Sequence, residues 1–140
     1  MIAALLVLAQ VLGAPPATPS AATPVAPRPP QDWSRLAPLR FVAPPRPDPG
    51  VSVYVRSETQ AGRCAATTRT ADGWALRVDM AALVGADGRA RQIIPRAIDC
   101  PTVEQFAVGL MSRTTRDNVD AAGILADIWL KTSLTFAWTN

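Results

Sequence analysis

The chain has 140 residues, two cysteines, no histidine and a net charge of +3, almost all of it from arginine, because Lys131 is the only lysine. Without a histidine base, nucleophilic catalysis of the Ser-His or Cys-His kind is excluded, and with no second cysteine pair a zinc site is not expected. The basic residues alternate with Asp and Glu and form no block of like charge, which excludes the electrostatic footprint of a nucleic-acid binder.

Residues 1–13 form an uncharged apolar run. Positions 2–12 have the length of the apolar core of a secretory signal and fall short of the about 20 residues needed to span a membrane. Gly13 before Ala14, or Ala9 before Gln10, supplies the small residue that a signal peptidase requires. The expectation is a signal peptide over 1–13 and a periplasmic or secreted protein of a Gram-negative bacterium. No Lys or Arg precedes Arg28, so only the amino terminus supplies the positive flank. A short uncleaved anchor is the alternative, and membrane association is expected only in that case.

Residues 14–50 hold twelve of the fourteen prolines. Runs such as Pro44-Pro45-Arg46-Pro47-Asp48-Pro49 lock φ, remove backbone donors and push each preceding residue into extended geometry. This Pro-rich linker is expected to be polyproline II or disordered, a spacer of up to about 110 Å at about 3.1 Å per residue. Trp33, Leu36, Leu39, Phe41 and Val42 interrupt it. They suit a short clip onto the folded domain better than a proline-rich ligand for a partner.

The folded domain is expected over residues 51–140. Val51, Val53 and Val55 alternate with Ser52, Tyr54 and Arg56, which is the period of a strand. Residues 63–70, rich in Thr, suggest another strand, and Asp72-Gly73 a hairpin turn. Leu76, Val78 and Met80 alternate with Arg77, Asp79 and Ala81, predicting a half-buried strand as far as Val84. Gly85-Ala86-Asp87-Gly88 is a turn in which Gly88 suits a positive φ. Residues 89–98 follow as a strand whose Pro95 marks an edge or a bulge.

Thr102 and Gln105 have the spacing of a capping box. Val103, Phe106, Ala107, Leu110 and Met111 then share one helical face. This helix is expected to end near residues 116–118, with Gly109 on its flank admitting a close backbone. Residues 120–127 are either loop or short helix. Leu130, Thr132, Leu134, Phe136 and Trp138 alternate with Lys131, Ser133, Thr135 and Ala137 in a last strand. The order predicts an α+β fold, a small antiparallel sheet with one main helix packed on one face, preceded by the disordered Pro-rich segment.

A domain of about 90 residues buries only about 60–65 % of its surface and is marginally stable unaided. In an exported protein Cys64 and Cys100 read as a disulfide, and closing that loop stabilises by about 4 kcal/mol on chain entropy. Two buried free thiols are the alternative.

In this order of elements, residues 74–138 resemble the C-terminal domain of TonB and TonB-like periplasmic proteins. The resemblance is carried by the strand from Val78 into the turn Asp87-Gly88-Arg89, a second strand over 90–98, a helix entered at Cys100-Pro101-Thr102-Val103-Glu104, and a final strand closing on Phe136-Ala137-Trp138. The preceding Pro-rich spacer fits the same layout, whereas Val103-Glu104 stands where the family carries Leu-Asp. The resemblance implies a mechanism in which an exposed sheet edge accepts an extended peptide by strand addition. The edge would come from residues 129–138 or from the strand holding Pro95. With an uncleaved leader it would also imply a TonB-like energy transducer.

The residues themselves spell out no reaction. Ser52, Ser57, Ser112 and Ser133 have no base at a telling spacing. Asp72 and Asp87 suit turns, Glu104 suits the first turn of a helix, where it meets the dipole, and Asp117 and Asp120 flank the helix end. Lys131 reads as a solvated charge on a strand. Gly85 to Gly88 lacks the lysine and helix of a phosphate loop. No catalytic, cofactor-binding or metal-ligating residue is assigned, and neither a cofactor nor a small-molecule substrate is expected.

Trp74, Trp129 and Trp138 suit core or rim packing. Because Trp and Arg are enriched at binding hot spots, Arg91, Arg96 and Trp129 are the residues to follow if a partner exists. The leading expectation is an exported, non-enzymatic binding or accessory module with an envelope protein or peptide as partner. An enzyme built on acids alone, from Asp87, Glu104 and Asp117, is one rival. A structural, disulfide-stapled envelope protein is another.

Overall fold

A computed structural model describes residues 27–45 and 48–140. The leader expected over 1–13 lies outside the described residues, as do positions 14–26, Arg46 and Pro47 of the Pro-rich segment. The elements run α1 (Pro49–Gln60), β1 (Thr68–Arg69), β2 (Gly73–Val84), β3 (Ala90–Pro95), α2 (Pro101–Thr114) and β4 (Ile128–Thr139). They form an antiparallel sheet with two helices, an α+β fold.

β2 is the spine of the sheet. It pairs with β4 along its whole length, from Gly73 opposite Thr139 to Val84 opposite Ile128. Its other edge pairs with β1 at Ala75 and Trp74 and with β3 from Met80 to Val84. The alternation visible in the sequence sets the faces. Leu76, Val78, Met80, Ala82 and Val84 join Leu130 and Phe136 in the main core, closed by Val55 of α1 and by Val103, Ala107 and Met111 of α2. Arg96 N donates to Asp79 O, which turns the Pro95 nitrogen away from β2. Proline therefore costs no ladder bond on this edge strand.

The strand expected at Val51 to Val55 is instead the middle of α1. Val51 and Val55 satisfy the periods of both a strand and a helix, so the local cap decides. The Asp48 side chain accepts from Gly50 N at 2.9 Å, and Pro49 opens the helix, where its fixed φ and missing N–H are favourable. Burial follows helical spacing through Ser52, Val55 and Glu58, while Val53 is 68 % exposed. Of the Thr-rich strand expected over 63–70, only Thr68 and Arg69 pair with β2.

Helix α2 begins two residues earlier than the expected capping box. Cys100 is its N-cap residue and makes no side-chain cap bond. Glu104 replaces the box: its Oε1 accepts from Ile98 N at 2.8 Å and from Cys100 N at 3.2 Å. Thr102 sits inside the helix and turns its hydroxyl toward α1. The helix stops at Thr114, short of 116–118, and the chain reverses through Asp117 at φ 53°. Gly109 faces open space with nothing within 4 Å of a built Cβ, so it admits no backbone neighbour. The segment between α2 and β4 contains no helix.

The Cys64–Cys100 disulfide joins the turn after α1 to the residue that opens α2, with Cα atoms 5.0 Å apart and a sequence separation of 36. Both cysteines belong to the main core. The second face of the sheet is covered by the chain's own N-terminal strap. Ala81, Leu83 and Trp129 are buried there beneath Trp33 and Leu36, with Ile94 beside them. Leu39 passes over the sheet edge into the main core. The expected clip is thus formed by Trp33, Leu36, Leu39 and Phe41, whereas Val42 remains 72 % exposed.

Candidate functional site

The outer edge of β4 is a backbone surface that the fold leaves partly unpaired next to a groove. Pairing with β2 runs from residue 128 to 139 without a shift of register, so backbone groups at alternate positions point away from β2. Lys131 identifies which ones. Its N–H donates to Ala37 O at 2.9 Å, and its carbonyl accepts from Leu39 N at 2.8 Å, a parallel bridge with the strap at Pro38. Six positions on, Ala137 N donates to Ser52 Oγ of α1 at 3.2 Å. Between them, Ser133 and Thr135 direct their N–H and C=O outward.

Beside this opening lies a groove of about 720 Å³ between the strap and the second sheet face. Arg77, Arg96 and Lys131 bring positive charge to it, and Asp32 and Asp79 negative. Arg96 stacks on Trp33, its guanidinium carbon 4.6 Å from the ring centroid. Arg77 Nε donates to Asp79 Oδ1 at 2.7 Å, an exposed pair of little energetic weight. The Lys131 ammonium donates to Ser34 O at 3.0 Å. Asp32 accepts from Ser34 N and Ser34 Oγ at 2.8 and 2.9 Å. These bonds, aided by the charges of Arg96 and Lys131, hold its carboxyl below the usual range.

The partner-watch residues separate. Arg96 and Trp129 both meet the strap, Trp129 also donating from Nε1 to Pro27 O at 3.0 Å. Arg91 lies at the start of β3, paired with Asp87 of the β2–β3 turn at 2.9 Å. Asp87 also accepts from Arg89 N, and this bond first, then the Arg91 charge, lowers its carboxyl. Lys131, read as a solvated charge on a strand, keeps its ammonium at the surface, where it donates to Ser34 O, and its backbone anchors the strap as well. Ser52, expected on a strand and without a base beside it, lies on α1, is buried and accepts from the β4 edge at Ala137 N. Ser57 and Ser112 donate to helix carbonyls behind them.

Glu58 carried no signal in the sequence. It is buried, grips Arg63 through two bonds of 2.9 and 2.7 Å, and accepts from Thr102 Oγ1 at 2.7 Å. The Arg63 guanidinium, then the Thr102 hydroxyl, hold its carboxyl at about 2. All its partners are structural groups joining α1, the following turn and α2.

Among the described residues no helix is long and apolar enough to cross a membrane. No family model, curated protein or solved structure matches this chain.

Proposed function

We propose that this protein is an exported, non-enzymatic binding module that takes an extended peptide by strand addition at the outer edge of β4. The reading rests on one observation: Ser133 and Thr135 face outward between two segments that already occupy the same edge. The chain uses this edge to bind an extended stretch of itself at Pro38, so a peptide continuing the strap's line would meet the same backbone pattern. The groove beside it adds charges of both signs for the peptide's alternate side chains. The resemblance of residues 74–138 to the TonB C-terminal domain in the order of elements supports the same mechanism. The buried disulfide supports export to the periplasm or the medium, since such bonds persist in oxidising compartments. The engagement of Asp87 and Glu104 in backbone capping supports a binding rather than a catalytic role.

The test uses a displayed peptide library selected on the oxidised protein and counter-screened on Thr135→Pro. That substitution removes an outward N–H and leaves the ladder to β2 intact. Selected peptides are expected to lose binding to the variant and to shift the Ser133 and Thr135 amide resonances of the native protein. Peptides that bind both proteins equally, or a selection that returns none, would refute strand addition. Intact mass of the exported protein, with and without reductant and alkylation, tests the cleavage of residues 1–13 separately.

A further inference from the structure

A second cleft, of about 390 Å³, lies at the other end of β2 and β4, on the face that carries the helices. Trp74 and Trp138 stand directly opposite each other in the ladder and line it side by side. On β1, Arg69 is the cross-strand neighbour of Trp74 and places its guanidinium carbon 5.0 Å from the indole centroid. The last turns of α1 bring Arg56 and Gln60 to the rim, and Thr67 closes the side toward β1. The Trp74 indole N–H donates to Asn140 Oδ1 at 3.0 Å, which fixes the ring's orientation. No carboxylate side chain lines the cleft, and neither Arg56 nor Arg69 has an acidic partner among the described residues.

The chemistry narrows the ligand. A wholly apolar molecule would cover Arg56, Gln60 and Asn140 without pairing them, at a desolvation cost. A small inorganic anion would leave both indole rings unused. An extended peptide finds no strand edge at Trp74 itself, because β1 pairs on one side of it and β4 on the other. A pyranose uses every part: its C–H face packs on indole, its hydroxyls pair with amide and hydroxyl groups, and a carboxylate on the ring meets Arg56. A pocket with flat apolar contact and a few convergent polar groups is the usual form of a small-ligand site. We infer that this cleft binds a carboxylate-bearing saccharide. The site is separate from the open edge of β4 and stands whether or not that edge takes a peptide.

The oxidised, full-length protein labelled with ¹⁵N is titrated with trigalacturonate, with neutral maltotriose and with acetate at matched ionic strength. Trigalacturonate is expected to give a saturable shift of the Trp74 and Trp138 indole N–H resonances, with Trp33 and Trp129 unmoved. Its affinity should exceed that of maltotriose by about tenfold or more, as paired charges in a part-buried site imply. Arg56→Ala and Gln60→Ala alter rim side chains of α1, and each should weaken binding about fivefold, the scale of a modest hot-spot residue. The inference is overturned by no saturable shift with either sugar, by equal affinity for maltotriose, by the same shift with acetate alone, or by both variants binding as the native protein does.

Discussion

The Glu58 carboxylate on α1 accepts a 2.7 Å hydrogen bond from the Thr102 hydroxyl on α2, 44 positions away in the chain. With Arg63 on its other side, it ties both helices together next to the Cys64–Cys100 bond. Its carboxyl is lowered to about 2 from an ordinary 4.5. The stabilisation it provides is therefore complete above pH 4.5 and is lost as the pH falls through about 2. Urea unfolding midpoints between pH 6 and pH 2 should drop more for the native protein than for Glu58→Gln, which cannot titrate. Parallel declines would show that the bonding does not hold the carboxylate ionised.

The disulfide closes its loop across the two helices, so its loss acts mainly on the unfolded chain. Cys64→Ala with Cys100→Ala is expected to destabilise by about 4 kcal/mol on the chain-entropy argument, read as a lower urea midpoint. In the native protein an alkylating reagent should add no mass until reductant and denaturant are both present, because both cysteines are buried.

Two neighbouring apolar residues of the strap should behave oppositely. Leu39 is only 7 % exposed and lies in the main core, so Leu39→Ala should cost about 2–3 kcal/mol, as for other large-to-small core changes. Val42 is 72 % exposed, and Val42→Ala should stay within about 0.5 kcal/mol. Equal effects in chemical denaturation would mean that the strap does not dock in solution.

Amide hydrogen exchange along β4 should alternate, with two exceptions. Leu134 and Phe136 bond to β2 and should be protected, while Ser133 and Thr135 face outward and should exchange rapidly. Lys131 and Ala137 also face outward but donate to Ala37 O and Ser52 Oγ, so both should be slow. Protection at Ser133 and Thr135 without added ligand would mean that the edge is already closed.

Much of the fold could be read from residue order. The faces of β2 and β4, the turn at Asp87-Gly88, the edge position of Pro95 and the apolar stripe of α2 all follow from local period and turn chemistry. The failures share one cause. At Val51 to Val55 two periods coincide, and the cap at Asp48, hidden in a proline run, tips the segment into a helix. At Thr102 a capping-box spacing is present, but Pro101 starts the helix two positions earlier than that box implies, and Glu104 takes over the bonding. Of the candidate site, the apolar residues of the strap were legible as a clip. The role of Lys131 was not, because a lysine on an alternating strand looks the same whether its edge is bare or occupied.

The sequence by itself determined which side chains share a face and where the chain turns, and it made a cysteine pair the expectation for an exported protein. These follow from backbone periodicity and from the redox chemistry of thiols, which need only neighbours or composition. Only the tertiary structure decided that Pro38 lies against Lys131, that Ser52 reaches Ala137, and that Trp74 and Trp138 share a cleft with Arg56. Each of these is a contact between segments far apart in the chain, set by how the helices and the strap pack on the sheet, and no local pattern encodes it.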